Sequence, residues 1–181
     1  MKKLVIILIM LAVAWGAEAQ FTKASLQASG LTCSMCNNAI YKALKALPFV
    51  ASVESNIKNS SFNIVFRENM GADIDAIKKA VEDAGFSVAS FNLTANFDKV
   101  AIGNDKHVVI DGRHFLFLKV NDQVLSGERT ITVVDKGFLT VKNFKKFSTA
   151  TKTPSIQTGK AGPGFESEGL SAGTRIYHVT I

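Results

Sequence analysis

Ala24-Ser25-Leu26-Gln27-Ala28 alternates apolar with polar residues. Just beyond it Cys33-Ser34-Met35-Cys36 opens a run in which Cys36, Ala39, Ile40, Ala43, Leu44 and Leu47 recur at helical spacing until Pro48 closes it. This is a strand passing through a loop into a helix, with the chain's only two cysteines at the junction. Backbone N–H groups of a first helical turn have no helical acceptor, and together with the helix dipole they favour thiolate over thiol. Two thiolates with no third strong ligand beside them suit a soft ion of low coordination number. Copper(I) fits that demand first and mercury(II) second, while zinc, which wants four ligands, comes last. A thiol–disulfide redox centre is the competing reading of the same pair. A structural disulfide between Cys33 and Cys36 would close so small a loop that it would add little stability.

Reading outward, Val53, Ser55 and Ile57 alternate, Asn59-Ser60 supplies a turn, and Phe62, Ile64 and Phe66 alternate again, which predicts a hairpin. A second helix is expected from about Asp73, with Ile74, Ile77, Ala80 and Val81 on one stripe and Gly85 as its C-terminal cap. Phe86 to Phe91 makes a last strand. The order strand, helix, strand, strand, helix, strand is the ferredoxin-like split unit, an α+β fold.

With that order in place, residues 23–91 resemble the heavy-metal-associated domain family, found in copper chaperones, in the N-terminal domains of copper-transporting ATPases and in a periplasmic mercuric-ion-binding protein. The resemblance is carried by Gly30-Leu31-Thr32-Cys33-Ser34-Met35-Cys36, by Leu44 with Leu47 and Val50, and by Ala84-Gly85-Phe86. It implies that Cys33 and Cys36 hold the metal and that a protein partner takes part in its transfer. Few ligands on an open loop suit exchange, because a partner's thiolate can enter before this protein's leaves. The sequence departs from the family at three places: Leu31 stands where methionine is usual, Phe49 where glycine is usual in the turn after the first helix, and Phe86 is the aromatic typical of the ATPase domains rather than the lysine of many chaperones. Thr32 occupies the position where a carboxylate tends to accompany zinc or cadmium.

At the N-terminus Lys2 and Lys3 precede an apolar run from Leu4 to Trp15 and then Ala17-Glu18-Ala19, the three regions of a secretory signal peptide. Cleavage is expected after Ala19, giving an exported protein, periplasmic or secreted. The run is too short to span a bilayer, which needs roughly 20 residues, and no later segment is long and apolar enough, so the chain is not expected to be membrane-spanning. Its formal charge of +6 is read as a solvated surface; no nucleic acid is expected as a partner of an exported chain.

Helical periodicity stops near Phe91, so the expected division is a signal peptide at 1–19, a metal-binding ferredoxin-like domain at 20–92 and a small all-β domain at 93–181, barrel or OB-like, for partner docking. Asp111-Gly112 and Asp135-Lys136-Gly137 each sit between strand-like runs and predict hairpins. In the first of these, register places His107 and His114 on one face as diagonal neighbours, and two such imidazoles without a third ligand read as ordinary strand residues. His178 has no ligand spacing. Lys142, Phe144, Lys145, Lys146 and Phe147 read as a half-buried strand, and 148–174 as a long Ser-, Thr-, Gly- and Lys-rich loop. No Ser-His-Asp order, paired carboxylates or phosphate loop stands out, so an enzyme is not expected. The alternative function is an envelope thiol–disulfide redox protein using the same cysteines.

Overall fold

The computed structural model describes residues 19–31, 33–165 and 169–181; the expected signal segment lies outside the described residues except for Ala19. Local chemistry sets the first elements. Strand β1 (Phe21–Ser29) runs into helix α1 (Ser34–Lys45) through a turn in which Cys33 is the N-cap. Strands β2 (Val50–Asn56) and β3 (Ser61–Phe66) follow, joined by a short 3-10 turn that ends at Ser60 with φ 51°. Helix α2 (Ile74–Asp83) begins where the Ala76 amide donates to Asp73 Oδ1 at 2.9 Å. It ends at Gly85, φ 88°, with Gly85 N–H donating to Glu82 O (2.9 Å) and Phe86 N–H to Val81 O (3.1 Å). That pair of bonds is a Schellman cap, and the positive φ is why glycine stands there.

Strand β4 (Ser87–Ile102) completes the unit. The remaining elements are β5 (Lys106–Ile110), β6 (Arg113–Phe117), β7 (Gln123–Val133), helices α3 (Val141–Ser148) and α4 (Ser155–Thr158), and β8 (Ile176–Thr180). All eight strands form one sheet in the order β2-β3-β1-β4-β7-β8-β6-β5. Its first four strands are the ferredoxin-like sheet, with β1 between β3 and β4, every pairing antiparallel. In an isolated unit of this kind β4 would be an unpaired edge, a template for unwanted strand addition. Here β4 pairs with β1 from Ser87 to Ala95 and with β7 from Asn92 to Ile102.

The expected boundary near Asn92 therefore needs correction, because Asn92 lies inside β4 and contributes to both ladders. The core crosses it too. Phe21 of β1 meets Phe115 of β6 edge to face at 5.5 Å, and Phe91 meets Phe138 at 5.6 Å. One apolar cluster contains Leu26, Ile40, Ile64 and Ile77 together with Phe115, Ile131, Val133 and Val179. A second, smaller cluster on the other side of β6 and β8 gathers Leu116, Leu118, Val134, Ile156, Phe165 and Ile176. The parallel pair β6–β8 is thus buried on both faces, as parallel strands generally are.

The all-β barrel or OB-like expectation is also corrected: the second half is an extension of an open sheet and carries two helices. The Asp111-Gly112 hairpin is present, both residues at positive φ, 51° and 67°. The Asp135-Lys136-Gly137 hairpin is not. Its second expected strand is replaced by a single bridge between Lys136 and Leu139 and then by α3, which Thr140 caps by accepting from the Asn143 amide at 3.4 Å. Phe144 and Phe147, read as alternating strand positions, are three apart and share the inward side of α3 against the second cluster. Phe49, the residue in place of the family's glycine, is 6% exposed and packs on Phe66. Among the described residues no helix is long and apolar enough to cross a membrane.

Candidate metal centre

Cys33 lies on the loop rim and is exposed; Cys36, in the first turn of α1, is half-buried. Both are free thiols, with their Sγ atoms 2.6 Å apart. The Cys36 backbone N–H donates to Cys33 Sγ at 3.3 Å, so a sulfur takes the place of the usual N-cap oxygen. The Cys33 thiol is held below its ordinary value, first by the hydrogen bond with the Cys36 side chain and then by the Cys36 backbone N–H, against an opposing desolvation and with the Met35 N–H adding least. The site thus stabilises the anionic sulfur that a soft ion requires.

Beside Cys33 is a cleft of about 280 Å³ lined by Leu31, Cys33, Ser34, Asn37, Ile57, Lys58 and Ser60. Its one charged lining residue is a lysine. Met35 is 83% exposed and does not line this cleft. Among the described residues no group of three or more His, Cys, Asp or Glu side chains could hold a metal ion, so no described carboxylate or imidazole stands with the two thiols. That donor set fits a soft, low-coordinate ion and fits zinc poorly. Thr32 is not among the described residues.

One residue of this site was not legible from periodicity. The inward stripe of α1 consists of Asn37, Ile40 and Leu44, while Ala39, expected on it, faces solvent. Asn37 is 4% exposed, and its Nδ2 is buried with no acceptor. Such an orphaned donor costs about 1–3 kcal/mol.

A second constellation, absent from the sequence reading, lies in the other half. With the carboxylate accepting, His178 Nδ1 donates to Asp135 Oδ1 at 2.6 Å, and Nε2 is left to accept from Ser155 Oγ at 2.8 Å. The backbone N–H of His178 donates to the same Asp135 oxygen at 3.1 Å. The connectivity is that of a Ser–His–Asp triad. Yet Asp135, Ser155 and His178 are 3%, 2% and 0% exposed, so no substrate carbonyl can reach the serine hydroxyl. Arg175 Nη1 lies 2.8 Å from Asp135 Oδ2, near enough for charge attraction but not aligned as a hydrogen bond. The same guanidinium grips Asp75 of α2 with two bonds, Nε to Oδ2 at 2.8 Å and Nη2 to Oδ1 at 3.1 Å, and Tyr177 OH donates to Asp75 Oδ2 at 3.0 Å. These residues lock the strand β8 to the helix α2. His107 Nε2 and His114 Nδ1 are 3.0 Å apart with rings stacked, as the hairpin register predicts, and they share a hydrogen bond rather than forming part of a larger donor cluster among the described residues.

Comparison with known proteins places this geometry in a family. Residues 25–87 match the model of the heavy-metal-associated domain. The probable copper-transporting ATPase HMA5 of Arabidopsis thaliana is 33% identical over 75 residues, 41% of this chain and 7% of the ATPase. Copper chaperone CopZ of Staphylococcus haemolyticus is 30% identical over 63 residues, 35% of this chain and 91% of the chaperone. Among solved structures, oxidized MerP from Ralstonia metallidurans CH34 is 26% identical over 38% of this chain and 96% of that one, with a TM-score of 0.34. The chain spans less than a tenth of the ATPase's length but nearly all of the chaperone's. Through residues 25–87, with the two thiols at the head of α1, the chain belongs to the heavy-metal-associated domain family.

Proposed function

We propose that this protein binds copper(I) through Cys33 and Cys36 and passes it to a protein partner, as a metallochaperone does. The observation that carries the reading is the pair itself: two free thiols at a helix N-terminus, Cys33 exposed and held toward thiolate, Cys36 half-buried, with no His, Asp or Glu completing a group of three beside them among the described residues. A two-sulfur site leaves the ion's remaining face open. An incoming thiolate can bind there before Cys33, the exposed ligand, lets go, so transfer needs no free ion. Mercury(II) satisfies the same donor set, and zinc does not. The copper proteins named above support the choice of ion.

Export belongs to the same proposal. Lys2, Lys3 and the apolar run to Trp15 support it, and the mass of the mature protein recovered from the envelope or medium of an expressing host would begin at Gln20. Docking of the partner is assigned to the C-terminal half, where Val141, 87% exposed, sits beside Lys142, Lys145 and Lys146 of α3. The experiment for the core of the reading is anaerobic titration of reduced protein with copper(I), mercury(II) and zinc in competition. One copper(I) per chain, preferred over zinc and lost in Cys33→Ser and in Cys36→Ser, is the expected result. Equal copper(I) affinity in the double serine variant would sink the proposal. A second reading, thiol–disulfide exchange, is favoured by the lowered Cys33 and the neighbouring Cys36 sulfur; turnover in an insulin-reduction assay would put it first.

A further inference from the structure

Asn37 is the residue of the candidate metal centre that neither the sequence reading nor the family assignment uses. It stands four residues after Cys33, and its backbone N–H donates to Cys33 O at 3.3 Å, which places it one helical turn above the sulfur. Helical side chains lean toward the N-terminus, so the Asn37 amide lies over the turn that Cys33 caps. Both residues line the same cleft. An asparagine here is costly, because the next inward positions are Ile40 and Leu44 and an apolar side chain would pack with them. Buried donors are paired as a rule, and among the described residues Asn37 Nδ2 is the buried side-chain donor without an acceptor.

Without an ion the two sulfurs interact with each other at 2.6 Å. Binding of an ion releases the protons of both thiols to solvent and leaves two thiolates, which accept N–H donors more strongly than a thiol does. Cys33 already accepts one such bond, from Cys36 N–H. We propose that Asn37 is a positioning residue of this site: its side-chain amide donates to the Cys33 thiolate when an ion is held, and thereby sets how firmly the ion is retained before transfer. The inference rests on the copper(I) reading above. A supporting contact of this kind is worth about tenfold or more in metal affinity.

The test uses the full reduced chain, copper(I) as the probe and a chromogenic copper(I) chelator as competitor, with the thiolate-to-copper absorption band and the thermal midpoint of the metal-free protein as second and third readouts. Asn37→Leu keeps the branching at Cγ, with somewhat more volume, and removes the donor. It should weaken copper(I) binding about tenfold and shift the absorption band, while the metal-free midpoint stays level or rises, since an unpaired amide has left the interior. Should Asn37→Leu not fold, Asn37→Ala carries the same comparison. Unchanged affinity and band in a folded variant overturn the inference, as does a loss of affinity matched by a fall in the metal-free midpoint, which would mark a structural role. If wild type and the Cys33→Ser variant bind copper(I) equally well, the parent reading has failed as well, and that outcome is separate from failure at Asn37 alone.

Discussion

The Cys33–Cys36 pair and the Asp135–His178–Ser155 cluster are both made of groups that do chemistry elsewhere, and they are built in opposite ways. The thiols sit at the loop rim and in the first turn of α1, interacting with each other and with the backbone N–H groups of that turn. The triad-like cluster is sealed, its histidine engaged at both ring nitrogens and its carboxylate set against an arginine that also holds α2. A site that must hand over its ligand needs open valence and exposure. A cluster that must keep a strand in place needs the reverse, because every bond it leaves unmade in the interior costs stability. Identity of residues alone does not separate the two; exposure and the number of partners each group engages do.

The most drastic way to break this contrast is to cut the molecule between its halves. A fragment from Gly103 to Ile181 keeps the sealed cluster but loses β4, the strand on which β7 is laid from Asn92 to Ile102, and loses the packing partners Phe21 and Phe91. It should be unfolded by circular dichroism, with no cooperative thermal transition. A fragment that folds would show that the C-terminal half is an independent domain and that the shared sheet is incidental.

Next in size is Asp135→Ala. It leaves His178 and Arg175 facing an empty site in the interior, and breaking one side of a buried charge network costs about 3–5 kcal/mol. Urea denaturation should show that loss, and copper(I) affinity of the protein that remains folded should not move. A loss of affinity together with stability would mean that the sealed cluster acts on the metal loop, and the two regions could no longer be treated as separate.

The first half was legible because its signals are local. Asp73 caps its own helix, Gly85 ends it with the φ that only glycine adopts freely, and the alternation of Phe62, Ile64 and Phe66 names its buried face. The spacing puts the cysteines at a strand-to-helix junction, and that is where they lie. What was missed depends on residues far apart in the chain. Ser155 and His178 meet Asp135 only because β8 slots between β7 and β6, a parallel pairing with β6 that no nearby residue announces. Lys and Phe alternate loosely along α3 and so predict a strand, whereas the deciding observation, the second apolar cluster under Phe144 and Phe147, is tertiary. Asn37 escaped notice because a polar residue on a helix is assigned outward unless the neighbouring loops are known to cover it.

A smaller effect sharpens the role of Arg175 as the link between the halves. Burial alone would push the Asp75 carboxyl upward, but hydrogen bonds and charge from Arg175, with Tyr177 and Lys78 adding, outweigh it and hold the group below its usual 3.8. A carboxyl whose folded value is depressed contributes stability above the unfolded value and loses it as pH falls through the folded one. The contribution should therefore be complete at neutral pH and fade below about pH 4. Its side chain is 43% exposed, so solvent screening keeps the effect near 1 kcal/mol. Asp75→Asn should cost about that much at pH 7 and shrink the difference in urea midpoint between pH 7 and pH 3. An unchanged acid limb would remove Asp75 from the link.

The smallest effect is expected at the metal loop. Replacing both cysteines by serine removes no buried apolar surface of consequence, since Cys33 is exposed and Cys36 only half-buried. Serine is also a better N-cap than cysteine, its oxygen being able to accept the Cys36-position N–H that the sulfur now takes at 3.3 Å. The unfolding free energy of the metal-free double variant, from urea denaturation, should thus stay within about 0.5 kcal/mol of wild type, with Cys33→Ser alone level or slightly more stable. Asp135→Ala and the double serine variant would then be mirror images, one losing stability and keeping the ion, the other keeping stability and losing the ion. A loss of more than about 2 kcal/mol from the serine pair would place the thiols among the groups that hold the fold together and would erase the contrast between an open site and a sealed one.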